Sequence, residues 1–477
     1  MLKEKFLNPF VSALLGIMAG VFLAFSHSPY HLSFLAILST LIWVSFTYFS
    51  LKNIGKSISK YLIFFFCLLF FSKIIFYQDY YLILANKTSL EPFMRLPALI
   101  LMNIQVILPG FLIGSLLFVM LKKKLHQLNP FLKLLVLTLY FIVVELVLQG
   151  QSPQSPFISL GVSLNLPSLF SYWGNDLISV FYYSFWVLCI YGIDTRKKEI
   201  FLFPLVIFSL FVLIPMTKSK AVRSEKIINA ILVNEKLSSL YLPEGYPTNF
   251  EEVVKRIKDV SQEAFKDHPS DVYYFWNEAA FNQFTATDVI EHITPILAKE
   301  LPGKHFIGIM HASERYSATS RYVYINTLTK EHMTYEKKSL VSLDEDPAFY
   351  PWLPLKYIIN PVAIVPAKQM QIFTIDGIKI GIALCNEIMD IKMLTQQNII
   401  RDVDLIINPS NVPQLFHNKF EMMLDEYAQW VHNLSGRPVL RLSISNYVNL
   451  VDGERSFTSA SELSQKVHAL KISIPVQ

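Results

Sequence analysis

Seven runs of about 20 predominantly apolar residues fill the first half of the chain, each bounded by charged residues, proline or asparagine. Because a helix needs about 20 apolar residues to cross the hydrocarbon core of a bilayer, each run predicts a membrane span. No run of comparable length follows Pro215. The predicted spans begin near Phe10, Ser33, Tyr61, Ala98, Leu134, Leu177 and Ile200.

The composition changes where the apolar runs stop. With 52% hydrophobic and 17% charged residues, the 477-residue chain is too apolar for one soluble domain and too long for a bare membrane bundle. Charged residues and short strand-like runs dominate after about residue 216. We therefore predict a transmembrane domain over residues 1–216 and an extracytoplasmic catalytic domain over residues 217–477.

Basic residues in the loops predict the orientation. One alternate set of loops holds twelve Lys or Arg residues and the other holds two, and cytoplasmic loops carry the excess. This excess predicts a cytoplasmic N-terminus. An odd number of spans then places the catalytic domain on the opposite side of a bacterial inner membrane, in the periplasm. The first set is Lys3, Lys5, Lys52, Lys56, Lys60, Lys122, Lys123, Lys124, Lys133, Arg196, Lys197 and Lys198, and the second is Lys87 and Arg95.

The same clustering explains the formal net charge of +5 better than nucleic-acid binding does, so no nucleic-acid partner is expected. The first run ends in a sequence similar to a signal-peptide cleavage site, but it is longer than a typical signal core, and we expect it to be retained. Residues 149–175 carry no charge and mix proline with large apolar residues, which predicts a segment lying in the membrane interface.

Two ionisable residues, Lys73 and Glu145, lie within or at the end of predicted spans. Charged groups are costly in lipid, so both are candidates for a functional role. The alternative is that Lys73 extends its amine to the interface and that Glu145 caps a polar loop. The sequence leaves both interpretations open.

The second half alternates strand-like and helix-like stretches, which predicts an α/β domain with a buried sheet. Catalytic groups on such a scaffold usually lie where strands end. The predicted strands cover residues 227–233, 272–276, 305–310, 321–327, 378–384, 405–408 and 438–443.

Three reactive side chains, Glu278, Lys337 and Cys385, follow predicted strands. A thiol becomes a good nucleophile when a base removes its proton, and a buried carboxylate such as Glu278 can do so. Lys337 and the amide of Asn386 could stabilise the oxyanion that forms when a thiolate attacks an ester. Judged by spacing alone, a cysteine at a strand end is more often packed inertly, an exposed glutamate is more often solvated and a lysine pair more often lies on the surface.

Several stretches together resemble one known family. They are Glu278, residues 335–341, residues 381–387, Glu145 with residues 156–161, and residues 435–441. The order Glu, Tyr-x-Lys-(Lys/Arg)-x-Leu-Val and Gly-(x)3-Cys-x-Glu resembles the nitrilase superfamily. With seven preceding spans, the chain looks like the membrane-bound apolipoprotein N-acyltransferase family of that superfamily.

The resemblance implies an α-β-β-α sandwich with a Glu-Lys-Cys triad. Carried over by position, Glu278 would be the general base, Lys337 the oxyanion-stabilising cation and Cys385 the nucleophile. Glu345 and Glu387 would be supporting carboxylates. Asn386 and Glu145 would be supporting or substrate-binding residues.

The implied reaction moves a fatty acyl chain from a membrane phospholipid to Cys385 as a thioester. The N-terminal amine of a diacylglyceryl-cysteine apolipoprotein then accepts the chain. The thioester conserves the reactivity of the ester, so neither a metal nor a cofactor is expected. We expect a membrane-embedded monomer whose partners are the phospholipid donor and the apolipoprotein acceptor.

The chain departs from the family in the loops that face the substrate. Asn386 stands where a tyrosine usually follows the nucleophile, and residues 343–346 and 409–414 differ from the family's patterns. A divergent membrane acyltransferase or amidase with a different acceptor is therefore an alternative. Outside the enzymes, a non-catalytic scaffold is a second alternative, and a transporter is disfavoured because no inverted repeat is visible.

Overall fold

The computed structural model divides the chain into a helical unit, Met1–Ser219, and a sheet unit, Lys220–Gln477. It describes residues 8–26, 32–52, 57–87, 92–150, 167–197, 200, 202–206, 209, 226–233, 250–264, 272–277, 284–314, 317–338, 363–364, 367–368, 370–397, 399–410, 419–443, 448–451 and 469–476.

Six long helices lie in the described residues of the helical unit. Several begin at a proline, whose fixed φ suits the first helical position and whose missing N–H is not needed there. Before α1 and α5, the side-chain oxygens of Asn8 and Asn129 accept hydrogen bonds from the first turn. The helices are α1 (Pro9–Phe25), α2 (Ser33–Lys52), α3 (Ser57–Lys87), α4 (Pro92–Lys124), α5 (Pro130–Gly150) and α6 (Pro167–Thr195).

Four segments of these helices are long and apolar enough to cross a membrane, which is typical of a membrane protein. They are Ser33–Lys52, Ser57–Ile75, Pro130–Val147 and Ile178–Thr195. The six helices cover the first six predicted runs. The seventh run, from Ile200, and most of the predicted interfacial segment, residues 149–175, lie largely outside the described residues.

Helices α1 and α3 touch backbone to backbone. A Cβ atom added to Gly16 would lie 2.3 Å from the carbonyl oxygen of Phe64, and one added to Gly20 would lie 2.6 Å from that of Leu68. No real Cβ contact is this short, so the two glycines are what permits the close approach. Small residues at intervals of four are a common way to pack helices in lipid, where apolar surface alone gives no driving force.

Twelve strands lie in the described part of the sheet unit. All seven predicted strands are present, and five more, β5, β6, β7, β11 and β12, were not predicted. The strands are β1 (Lys226–Val233), β2 (Tyr273–Trp276), β3 (Lys304–Glu314), β4 (Ser317–Asn326), β5 (His332–Glu336), β6 (Ala363–Ile364), β7 (Ile372–Ile375), β8 (Ile378–Ile382), β9 (Leu405–Ser410), β10 (Val439–Ser443), β11 (Val448–Val451) and β12 (Ala469–Val476).

The strands form two sheets. The first has the order β12-β1-β2-β3-β4-β5, with β6 paired to β4, and the second has the order β11-β10-β9-β8-β7. Strands β8, β9 and β10 run parallel, whereas β7 and β11 pair antiparallel at the edges. The carboxyl ends of β8, β9 and β10 therefore lie side by side at the same end of the second sheet.

The two sheets face each other through aromatic side chains. The ring centroids of Phe306 in β3 and Phe373 in β7 lie 6.3 Å apart, and the ring centroid of Tyr324 in β4 lies 6.4 Å from that of Phe373. At one end the Tyr273 hydroxyl donates a hydrogen bond to Asp376 at 2.6 Å. Alternate side chains of each strand thus fill the space between the sheets.

Helices cover the outer faces of both sheets. Val253 and Ile257 share a buried cluster with Tyr274 and Ile307 of the first sheet. On the second sheet, the guanidinium of Arg441 in β10 donates a hydrogen bond to the carboxylate of Asp425, in the helix Lys419–Ser435. The described residues thus form helix, sheet, sheet and helix layers, the order expected of an α-β-β-α sandwich. The helices are α7 (Phe250–Ala264), α8 (Ala286–Asp288), α9 (Thr294–Glu300), α10 (Ile391–Gln396) and α11 (Lys419–Ser435).

Candidate active site

Cys385 lies at a sharp turn between a strand and a helix. Strand β8 ends at Ile382, and a 3-10 helix, Cys385–Met389, begins three residues later. Cys385 itself has a φ of 48°, a left-handed conformation that a residue with a Cβ seldom adopts. Such strain persists only where the surroundings enforce it, and it is concentrated at functional sites.

Glu387 connects this turn to the other sheet. Its Oε2 atom accepts hydrogen bonds from the Tyr335 hydroxyl and the Leu384 N–H, both at 2.7 Å. Its Oε1 atom accepts one from the Lys338 N–H at 2.6 Å. The carboxylate is fully buried, so these three donors replace the water it has lost.

Lys337 lies at the end of β5, directly before one of those donors. Its N–H donates to the Ser320 carbonyl, and its own carbonyl accepts from the Ala367 N–H, both at 2.9 Å. The Lys337 side chain is 1% exposed. The neighbouring Lys338 is partly exposed, and its ammonium donates to the Lys368 carbonyl at 2.9 Å. The two lysines of the pair are therefore not equivalent.

Glu387 thus brings together two predicted site segments that lie about fifty residues apart in the chain. Lys337 and Lys338 come from the first sheet, whereas Cys385 and Glu387 come from the second. Sequence reasoning assigned no role to Tyr335. Burial, and then the charge of Glu387, raise the pKa of Tyr335 well above its ordinary value, so its hydroxyl keeps the proton it donates.

Two predicted site residues, Glu278 and Glu345, lie outside the described residues. The residue before Glu278, Asn277, is buried at the end of β2. At the same strand end, the Trp276 carbonyl accepts a hydrogen bond from the Tyr322 hydroxyl at 2.5 Å. The roles of Glu278 and Glu345 therefore stay predictions.

Asn386 and Asn408 are both fully buried beside the cysteine. Asn408 lies in β9, and its amide nitrogen donates to the carbonyl oxygens of Ala383 and Cys385. Sequence reasoning missed Asn408. The available signal was an asparagine directly after an apolar run, in a strand, Leu405–Ser410, all of which is buried.

Glu145 belongs to the helical unit. It is 1% exposed, and its Oε1 atom accepts a hydrogen bond from the Ser179 hydroxyl of α6 at 2.7 Å. Lys73 in α3 is also buried, at 2% exposed. Both ionisable residues therefore lie among the helices.

Among the described residues, no group of three or more His, Cys, Asp or Glu side chains is placed to hold a metal ion. Cys385, Lys337 and Glu387 supply a thiol, an ammonium and a carboxylate, all on buried residues whose backbone segments Glu387 joins. That combination suits nucleophilic attack on a carbonyl and stabilisation of the resulting oxyanion.

No protein-family model and no curated protein sequence matches the chain. Matching solved structures are members of the carbon-nitrogen hydrolase, or nitrilase, superfamily and cover about half of the chain.

One is a carbon-nitrogen hydrolase from Helicobacter pylori G27, at 12% identity and a TM-score of 0.37, covering 52% of this chain and 89% of that one. Another is an amidase of the nitrilase superfamily from Nesterenkonia AN1, at 10% identity and a TM-score of 0.35, covering 54% and 93%. A third is a glutamine-dependent NAD+ synthetase from Acinetobacter baumannii, at 13% identity and a TM-score of 0.35, covering 52% and 45%.

Proposed function

We propose that this chain is a membrane-bound acyltransferase that works through a thioester on Cys385. The donor is a membrane phospholipid, and the acceptor is the N-terminal amine of a diacylglyceryl-cysteine apolipoprotein. The observation that supports it most is the hydrogen-bonded Glu387, which joins the turn of Cys385 to the segment of Lys337. An inert packed cysteine would need neither the left-handed backbone nor the buried cross-sheet carboxylate.

In the first step the Cys385 thiol loses its proton to Glu278, and the sulfur attacks the carbonyl carbon of a phospholipid ester. A carbon–sulfur bond forms and the carbon–oxygen bond breaks. The lysophospholipid leaves as an alcohol, taking the proton from Glu278. The Lys337 ammonium and the Asn386 N–H stabilise the oxyanion that forms between these events.

In the second step the acceptor amine attacks the thioester carbonyl. A carbon–nitrogen bond forms, the carbon–sulfur bond breaks, and Glu278 passes the amine proton to the departing sulfur. The product is an amide, and the enzyme returns to its starting state. A thioester keeps enough reactivity for this transfer, so the scheme balances without a co-reactant.

The helical unit supports a lipid substrate. Four of its described segments have the length and composition of membrane spans, which would hold the same chain at a bilayer surface where diacyl lipids are concentrated. The positive-inside pattern of the loops supports a periplasmic catalytic domain in a bacterial inner membrane.

The test uses the full-length protein in vesicles that contain a phospholipid with a radiolabelled acyl chain. Label should appear on Cys385 as a hydroxylamine-sensitive thioester, and a diacylglyceryl lipopeptide with a free N-terminus should remove it as an amide. The Cys385→Ala variant should carry no label. The matched control replaces the two cysteines of the helical unit, Cys67 and Cys189, with alanine, and this variant should be labelled normally.

The outcomes separate the competing functions. A thioester that water or a small amine discharges but the lipopeptide does not would support a divergent amidase or acyltransferase instead. A protein that takes no label at Cys385 from any phospholipid would contradict the proposed acyl transfer. In that case a binding or scaffold function would be the better interpretation.

A further inference from the structure

Asn408 makes contacts on both sides of the candidate nucleophile. It is fully buried in β9, the strand that runs parallel to β8. Its Nδ2 atom donates a hydrogen bond to the carbonyl of Ala383, two residues before Cys385, and another to the carbonyl of Cys385 itself at 2.9 Å. One amide group therefore uses both of its hydrogens on the backbone around Cys385.

The first of these carbonyls belongs to a peptide group that is held at both ends. The Ala383 carbonyl accepts from Asn408, and the N–H of the same peptide group, on Leu384, donates to Glu387 at 2.7 Å. Because a trans peptide is planar, its carbonyl and its N–H point in opposite directions. Asn408 and Glu387 therefore clamp this plane from opposite sides.

The second carbonyl belongs to the peptide group that joins Cys385 to Asn386. Asn408 holds its oxygen, so the Asn386 N–H must point away from Asn408. This N–H is the donor that the proposed reaction uses for the oxyanion. Its direction depends on the backbone at Cys385, where φ is 48° and the conformation is unfavourable by itself.

We propose that Asn408 is a positioning residue that aims the Asn386 N–H at the developing oxyanion, an inference that rests on the proposed acyl transfer. Its two hydrogen bonds offset the strain at Cys385 and fix the peptide plane that follows the sulfur. Preorganised donors of this kind are effective because they need no reorientation while the reaction proceeds.

A purely structural role for Asn408 would predict different behaviour. Losing two buried hydrogen bonds would then weaken the fold and affect every reaction of Cys385 equally. An oxyanion role predicts a selective effect, because acylation passes through an oxyanion and thiol alkylation does not. In alkylation by iodoacetamide the sulfur displaces iodide from a saturated carbon, with no charge developing on oxygen.

The experiment measures two rates on the full-length protein in detergent. The first is acylation by p-nitrophenyl butyrate, followed by the burst of p-nitrophenolate. The second is alkylation by iodoacetamide, followed by mass spectrometry of the peptide that contains Cys385. In the Asn408→Ala variant, acylation should slow about 10²- to 10³-fold, whereas alkylation should change by less than about threefold because it depends on the thiolate alone.

Two further variants sharpen the result. Asn408→Ser keeps one hydroxyl donor, so its acylation rate should lie between those of the wild type and the alanine variant. Asn326→Ala is the matched control, because Asn326 is a buried asparagine at the far end of β4 whose side-chain oxygen accepts from Leu328 and Thr329. It should lower stability without changing the ratio of the two rates.

Each outcome bears on a different conclusion. Equal slowing of acylation and alkylation, or unchanged acylation, would overturn the role of Asn408. A wild-type protein that reacts with the nitrophenyl ester, but moves no acyl chain from phospholipid to lipopeptide, would overturn the proposed function and leave the role of Asn408 standing. A wild-type Cys385 that takes an acyl group neither from the ester nor from phospholipid would overturn both.

Discussion

The helical unit and the sheet unit each bury a glutamate, and they provide its hydrogen bonds in different ways. Glu145 in α5 accepts from a side chain, the hydroxyl of Ser179 in the neighbouring helix. Glu387 accepts from the Tyr335 hydroxyl and from two backbone N–H groups, those of Leu384 and Lys338. The difference follows from where each residue lies in its element.

Inside a helix, each backbone N–H is already bonded to the carbonyl four residues earlier, so it cannot serve a side chain. Past the end of a strand the ladder stops, and N–H groups become available for a carboxylate or an oxyanion. The sheet unit therefore offers preorganised donors that the middle of a helix cannot offer. This is the physical reason for expecting the chemistry beside Cys385 rather than beside Glu145.

The largest effect is expected from Glu387→Ala. The substitution leaves three donors without their acceptor, and each buried unsatisfied group costs about 1–3 kcal/mol. We expect the free energy of unfolding to fall by about 3–9 kcal/mol, together with loss of acylation. Chemical denaturation of the full-length protein in detergent, followed by near-UV circular dichroism, measures the first quantity.

Glu145→Gln is the matched change in the helical unit. A glutamine oxygen can still accept from Ser179, so the expected cost is about 1 kcal/mol or less. If the Glu145 variant were destabilised more than the Glu387 variant, the contrast between the two units would be wrong.

A smaller effect is expected at His305, which is fully buried in the sheet unit. Its Nδ1 atom accepts from the Trp276 indole at 3.3 Å, and its Nε2 atom lies 2.7 Å from the Leu301 carbonyl. Burial lowers the pKa of His305 from its ordinary 6.5 to about 4. Between pH 6.5 and about 4, the unfolded chain binds a proton at His305 that the folded chain does not bind. The free energy of unfolding therefore decreases as the pH falls through this range, by about 3 kcal/mol in total.

The measurement compares wild type and His305→Gln between pH 7 and 4. The comparison is needed because Glu426 acts in the opposite sense. Burial, and then Asp425, raise the pKa of Glu426 to about 8, so its contribution to stability is lost as the pH rises. Because both proteins contain Glu426, its contribution cancels when the stability of one protein is subtracted from that of the other. A slope in His305→Gln that equals the wild-type slope would contradict the prediction.

In the helical unit we expect an effect of about 1–3 kcal/mol from Gly16→Ala. The added methyl group would lie 2.3 Å from the Phe64 carbonyl oxygen, so α1 and α3 must move apart. Thermal unfolding in one detergent measures the cost. Leu14, on the same helix and 47% exposed, provides the control, since Leu14→Ala adds no atom between the helices. Equal destabilisation by both changes would refute the close-packing argument.

The smallest effect is expected from Glu336→Gln in β5, next to Lys337. Glu336 pairs with Arg321 at 2.7 Å, but the side chains are 46% and 31% exposed. Partly exposed ion pairs contribute less than about 1 kcal/mol and are screened by salt. The difference in stability from wild type should disappear at about 1 M salt. A large effect that persists in salt would mean that the site extends to the surface.

The central strands could be predicted from the sequence, and most of the edge strands could not. Buried strands such as β8 and β9 appear as short runs of β-branched residues, which is a readable pattern. By contrast β5, His332–Glu336, is mostly polar, and β7 has four residues. Strand β12 pairs with β1 from the other end of the unit, a non-local contact that no local pattern encodes.

The candidate site divides in the same way. The order of Lys337, Cys385 and Glu387 along the chain, with the resemblance it supports, predicted these three residues, and their catalytic roles stay predictions. The positive φ of Cys385 and the contacts of Tyr335 and Asn408 depend on packing between strands and between sheets. The sequence alone therefore does not predict these features.

The dependence of Glu387 on both sheets has a consequence for how the protein matures. Two of its donors come from the first sheet and the third from the second, so neither sheet alone can complete the cluster. A newly made chain would therefore have no complete cluster around Cys385 until the two sheets dock. The proposed acyl transfer would then begin only when folding of the sheet unit ends.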